Sequence, residues 1–256
     1  MSTVTSTATP TLDISGTSRV PFGRLITVEL RKMADTRAGM WLLLAIGLIT
    51  AAIVTIFYFA APDEQRTFLN FMGATATPQG FLLPVLGILA VTSEWSQRTG
   101  LTTFALVPER ERVIGAKVIA AIALGLGAVV ACLLTAAIGN LIVGGSWDLN
   151  SSLLGNAAVF EVAGMLGGVA FGLVFMNSAL AIVLYYLLPT VWTILGETIH
   201  ALDKPADWLD TSRTMQPLVD DQMTGQAWAH LGTSVAVWVG VVLLIGLWRL
   251  RRTELK

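Results

Sequence analysis

The chain has 256 residues, 54% hydrophobic and 13% charged, with a formal net charge of -1, and its mean hydropathy is +0.71. Soluble domains carry about 25% charged residues, so half that share excludes an ordinary soluble domain and points to a membrane protein. The single cysteine, Cys132, excludes a disulfide framework and reads as a small packing residue in an apolar run.

Residues 1–18 are rich in Ser and Thr and have no apolar core, so they are expected to form a disordered cytoplasmic tail rather than a signal peptide. In Val20–Gly39, apolar Phe22, Leu25, Ile26, Val28, Leu30 and Met33 alternate with Arg24, Glu29, Arg31, Lys32 and Arg37. This predicts a basic amphipathic helix lying in the headgroup plane ahead of the first span. Met40–Ala61 is that span, since about 20 apolar residues cross a bilayer core. A second span is expected over Thr77–Ser93, with Pro78 in its first turn and Pro84 kinking its interior. A kinked helix needs neighbours to satisfy its freed carbonyl, so this span should face the protein interior.

Glu94–Lys117 follows, a polar and charge-dense insert with apolar sequence on either side. Val118–Val143 is the third span, with helix expected from about Val113, and Leu153–Met176 is the fourth. The fourth carries Gly164, Gly168 and Gly172 at four-residue spacing, a pattern that lets another helix approach backbone to backbone. That pattern leaves open whether the mate belongs to the same chain. Ala179–Leu195 is the fifth span, broken by Pro189, and Trp228–Leu247 is the sixth. Between them the acidic segment 197–227 is the largest polar loop, expected to fold over the outer mouth.

With six spans both termini share a side. That side holds Arg19, Arg24, Arg31, Lys32, Arg37, Arg98, Arg110, Arg112, Lys117, Arg249, Arg251, Arg252 and Lys256, which are 13 of the 16 basic residues. Basic residues favour the cytoplasmic side, so the termini, the 94–117 insert and the 253–256 tail are expected there. The fold class is therefore an all-α polytopic membrane protein in the plasma membrane. It has six transmembrane helices, N-in and C-in, as one domain over residues 19–252, preceded by the interfacial helix.

Motifs for chemistry are sparse. The sequence holds no GxxxxGK[ST] loop and no HExxH or Cys/His metal spacing, so no cofactor or metal is expected in this chain and an enzymatic role finds no support. His200 and His230 read as surface residues, and Asp203, Asp207 and Asp210 as a solvated acidic face. Glu161 is the one carboxylate well inside a span. It either reaches a polar neighbour or faces a transport path. Pro84, Glu161, Tyr185, Tyr186, Pro189 and Trp192 are candidates for such a path.

In the insert, Glu94 precedes Arg98-Thr99, then an apolar stretch Leu101–Val107, then Pro108 with Arg110 and Arg112, and Lys117 opens the next span. This order resembles the first cytoplasmic loop of permease subunits of type-2 exporter-class ABC transporters, and the six-span layout of residues 20–252 matches as well. The acidic interleaving in PERERV departs from the family's basic cluster. The resemblance implies a permease that binds a separate ATPase subunit through Glu94, Arg98, Thr99, Leu101, Phe104, Val107, Pro108, Arg110, Arg112 and Lys117. ATP and Mg would be held by that partner. Two ATPase copies and a second permease copy would complete the assembly in the lipid bilayer, with no nucleic acid. Two other readings are a stand-alone secondary transporter and a regulatory or structural membrane subunit without a path.

Overall fold

The structure is a computed structural model and describes residues 19–96, 109–147 and 149–252. All regular structure among the described residues is helical, and six helices are long and apolar enough to cross a membrane. The expected 1–18 and 253–256 tails lie outside the described residues.

Helix α1 spans Phe22–Asp35 and buries Leu25, Glu29 and Met33, one stripe at four-residue spacing. It breaks from α2 (Arg37–Ala60) at Thr36, which is extended at φ -72° and ψ 148° and accepts the Gly39 amide on its hydroxyl at 3.2 Å. The elbow is tight: a Cβ at position 39 would overlap the Met33 carbonyl.

The second span is longer than the sequence suggested. Helix α3 runs Phe68–Ser96, so Pro78 and Pro84 both lie inside it. Pro78 does not open the helix because Phe68, Phe71, Met72 and Thr75 are buried on its amino-terminal turns and carry it two turns further. Thr67 Oγ1 accepts the Asn70 amide at 3.4 Å at that start. Helix α4 spans Arg110–Val143 and ends at Gly144 in the left-handed region, φ 67°. Its 34 residues reach roughly 51 Å at 1.5 Å each, well beyond a bilayer core of about 30 Å.

Helix α5 (Leu153–Phe175) stops at Met176, φ 51°, and α6 (Ser178–Thr198) restarts at once, capped by Asn177 Oδ1 accepting the Leu180 amide at 3.0 Å. The large polar segment folds into two short helices, α7 (Asp203–Leu209) and α8 (Thr211–Val219). The last span comprises α9 (Gly225–Val235), a π-helical stretch Ala236–Val241, and α10 (Val242–Arg252).

Helices α3 and α5 form the centre, with about half the residues of their apolar stretches buried, whereas in α2 and α6 only 11% of those residues are buried. Their contact answers the question left by the glycine pattern: the mate is α3 of the same chain. A Cβ at Gly168 would overlap the Pro84 carbonyl, one at Gly172 would stand 3.1 Å from the Ile88 oxygen, and one at Gly164 would stand 3.4 Å from the Pro84 ring. Two apolar clusters flank this crossing. One gathers Leu83, Leu86, Val113, Met165, Val169 and Leu250, and the other gathers Phe68, Phe71, Met72, Cys132, Ala136 and Leu153.

The two ends of the described chain meet at one end of the bundle. Arg110 donates to the Leu250 carbonyl at 2.9 Å, Arg112 to the Val20 carbonyl at 3.0 Å, and Arg251 pairs with Glu111 at 2.7 Å. At the opposite end Asp221, itself at φ 52°, accepts from Asn150, Ser152 and Asn156 at 2.6, 2.6 and 2.7 Å. That clip fixes the α7–α8 segment to the start of α5.

Gly168→Val forces the α3–α5 backbones apart, and overpacking of this kind costs about 1–3 kcal/mol. Thermal unfolding in detergent is expected to show a lowered Tm, while Gly155→Ala, whose Cβ would meet nothing within 4 Å, leaves the Tm unchanged or higher.

Candidate functional site

Position 29 is a glutamate on the buried stripe of α1, between Leu25 and Met33. A buried carboxylate needs a charged partner or several donors, and the fold supplies them from two other helices. Lys117, 1% exposed on α4, hydrogen-bonds Glu29 and lies 3.3 Å from Glu94 near the end of α3. It also donates to the Ala90 carbonyl of α3 at 2.8 Å, a favourable place for a cation in the last turns of a helix. Lys32 closes the set, 2.7 Å from both Glu29 and Glu94.

The cluster is formally neutral, two ammonium groups and two carboxylates, and ties α1, α3 and α4 together. Burial by itself would lower the Lys32 pKa, but the hydrogen bonds and charges of Glu29 and Glu94 outweigh it, so the ammonium titrates above its ordinary value.

The cluster stands at the base of residues 97–108, with Glu94 just before that segment and Lys117 two turns into the helix after it. Glu94 and Lys117, expected to face a partner, are spent inside the bundle. Arg110 and Arg112 are half-buried and hold the two chain ends, with Arg112 also 3.2 Å from Glu109. Arg98, Thr99, Leu101, Phe104, Val107 and Pro108 lie outside the described residues. Glu29 and Lys32 were missed as site residues. The readable signal for Glu29 was an acid breaking the Leu25–Met33 apolar stripe.

The candidate path residues fall into two groups, one where α3, α5 and α6 meet and one nearer the start of α5. Pro84 abuts Gly164 and Gly168, Tyr185 stacks edge-on against Phe171 at 5.3 Å, and Tyr186 stacks on Phe81 at 6.2 Å. The Tyr186 hydroxyl donates to the Phe81 carbonyl, beside the Gly80 carbonyl that Pro84 deprives of its amide partner. A neighbouring helix thus places a donor one residue from the freed carbonyl, and α3 is among the more deeply buried helices, as expected of this span.

Glu161 is elsewhere. It faces a cavity of about 40 Å³ between α3, α4 and α5, together with Met72, Cys132 and Asn156, beneath Leu218 of α8. Neither carboxylate oxygen meets a hydrogen-bond partner among the described residues, and the space holds roughly three waters. Pro189 lies inside α6, and Trp192 is two turns beyond Tyr185 with its indole N–H unpartnered among the described residues.

Asp210 departs from the solvated acidic face expected of it. It is fully buried, caps α8 by accepting the Ser212 amide at 2.9 Å, and accepts the Thr193 hydroxyl of α6 at 2.8 Å. The chain matches no family model and no curated protein.

Lys117→Met leaves Glu29 and Glu94 buried without their main counter-charge, and breaking such a pair costs about 3–5 kcal/mol. The triple variant Lys117→Met, Glu29→Gln, Glu94→Gln is expected to unfold at a higher temperature than the single one. Equal or lower stability of the triple variant would show that charge imbalance is not what the single change introduces.

Proposed function

We propose that the chain is the transmembrane permease subunit of an ATP-driven exporter, coupled to a separate ATPase through the segment between α3 and α4. The observation that carries this reading is the ion cluster at the root of that segment. A push delivered to residues 97–108 reaches Glu94 on one side and Lys117 on the other, and through Glu29 it reaches α1 as well. Ion-paired helices move as a unit, so a rigid shift in a docked partner becomes a tilt of three helices at once. The order of residues across Glu94–Lys117 and the six-span layout support the same reading.

In this assembly the chain ends and the 94–117 segment face the cytoplasm, in keeping with the distribution of Arg and Lys. Helix α1 rides at the plasma-membrane surface with its basic side outward. Leu101, Phe104 and Val107 seat in the ATPase, and Arg98 sets register. Arg110 and Arg112 serve chiefly to fasten the chain ends. Two ATPase copies bind ATP and Mg, and a second permease copy or lipid covers the exposed apolar faces of α2 and α6.

The tagged chain, purified from its native membrane, is expected to bring down an ATP-hydrolysing subunit, and Phe104→Asp and Arg98→Glu each lose it. Retention by both variants overturns the coupling role. A cysteine at Thr103 is expected to react with a membrane-impermeant maleimide in inside-out vesicles only.

One observation favours a second reading, an ion-driven carrier that works alone: Glu161 inside a span, without a partner among the described residues. Gradient-driven transport by liposomes containing only this chain would select it.

A further inference from the structure

Most helical threonines among the described residues follow a common habit, returning the hydroxyl to the carbonyl four residues back. Thr55 bonds Ala51 at 2.7 Å, Thr77 bonds Gly73 at 2.9 Å, Thr92 bonds Ile88 at 3.0 Å and Thr135 bonds Ala131 at 2.8 Å. Thr50, in the middle of α2, is different. It is 5% exposed and its hydroxyl meets no partner among the described residues. Gln79 of α3 is 4% exposed, and its carbonyl oxygen is likewise unpartnered among them. Both line one cleft of about 360 Å³ between α2, α3 and α4.

Two orphaned polar groups on different helices in the wall of one cleft are costly unless something supplies donors. The volume falls in the range of small-molecule sites. No charged residue lines the cleft, and its walls are Leu43, Ile46, Leu83 and Leu124. Thr50 stands roughly 20 Å along α2 from Arg37, near the middle of a bilayer core. A charged headgroup is therefore excluded at that depth. Helices α2 and α4 barely touch across the opening, so access is lateral, from the lipid.

We propose that this cleft binds an uncharged, lipid-soluble molecule carrying a hydroxyl or amide N–H, which donates to Gln79 Oε1 and pairs with the Thr50 hydroxyl while its apolar body lies along α2 and α4. The site lies apart from the cavity that Glu161 faces, and it requires no ATPase.

The test uses the full chain in phosphatidylcholine nanodiscs. The probe is a monoalkylglycerol with a photoreactive diazirine in its alkyl chain, compared with the same molecule methylated at both hydroxyls. Peptides of α2 and α4 are expected to take up the free-hydroxyl probe in preference to those of α6. Loss of one hydrogen bond, about 1.4 kcal/mol, corresponds to about tenfold weaker occupancy for Gln79→Leu, for Thr50→Val and for the methylated probe.

Gly127→Phe fills the cleft from a position where a Cβ meets nothing within 4 Å, and is expected to abolish the labelling even where a polar variant fails to fold. Equal labelling of both probes, labelling spread evenly over α2, α4 and α6, or labelling undiminished in Gly127→Phe overturns the proposal. So does an unlabelled cleft in a chain that cross-links as a dimer through α2, which would make a second copy the occupant.

Discussion

The arrangement of the bundle turns on one lysine. Lys117 is enclosed almost completely, and an ammonium in such a place survives only with opposite charge and carbonyl oxygen around it. Glu29 comes from the first helix, Glu94 and the Ala90 carbonyl from the third, and the lysine itself from the fourth. An ion pair in a low-dielectric interior adds little net stability over an apolar substitute, but it is strongly directional. Its effect is to fix which faces of α1, α3 and α4 meet. The helix that precedes the first span is thereby drawn into the bundle rather than left as a lone surface element.

The opposite end is held by a different means. There Asp221 gathers three side-chain donors at the start of α5, and Asp210 joins α8 to α6 through Thr193. Between the two ends the α3–α5 crossing depends on the absence of side chains, with Gly168 lying against the Pro84 carbonyl. The bundle is thus ionic at the end where Val20 and Leu250 come together, closely packed in the middle, and hydrogen-bonded at the other end. The polar insert is rooted in the ionic part.

Polar groups inside the spans sort by whether the fold answers them. Tyr186 donates to the Phe81 carbonyl, Thr75 and Cys132 answer each other at 2.7 Å, and Trp238 of the π-helical stretch donates to the Leu209 carbonyl at 2.7 Å. Glu161, Gln79 and Thr50 are not answered by the described residues. In a hydrocarbon setting such groups mark places where water or a ligand takes part, and here they mark two separate cavities.

The order of hydrophobic and charged segments was sufficient to define six helices of membrane length and the position of the insert, because crossing a bilayer requires about 20 apolar residues whatever the tertiary contacts. Span boundaries were less legible. Pro78 suggested a helix start, yet burial of Phe68, Phe71 and Met72 carried α3 past it, which only packing against α4 and α5 could decide. The glycine stripe announced a close approach without naming the mate. Glu94 and Lys117 were conspicuous in the sequence, but with Lys32 and Glu94 62 positions apart and Glu29 and Lys117 88 positions apart, no local pattern links the four charges. Local sequence sets which residues prefer lipid. Which buried charge finds which partner is a long-range electrostatic matter, and only the folded bundle decided it.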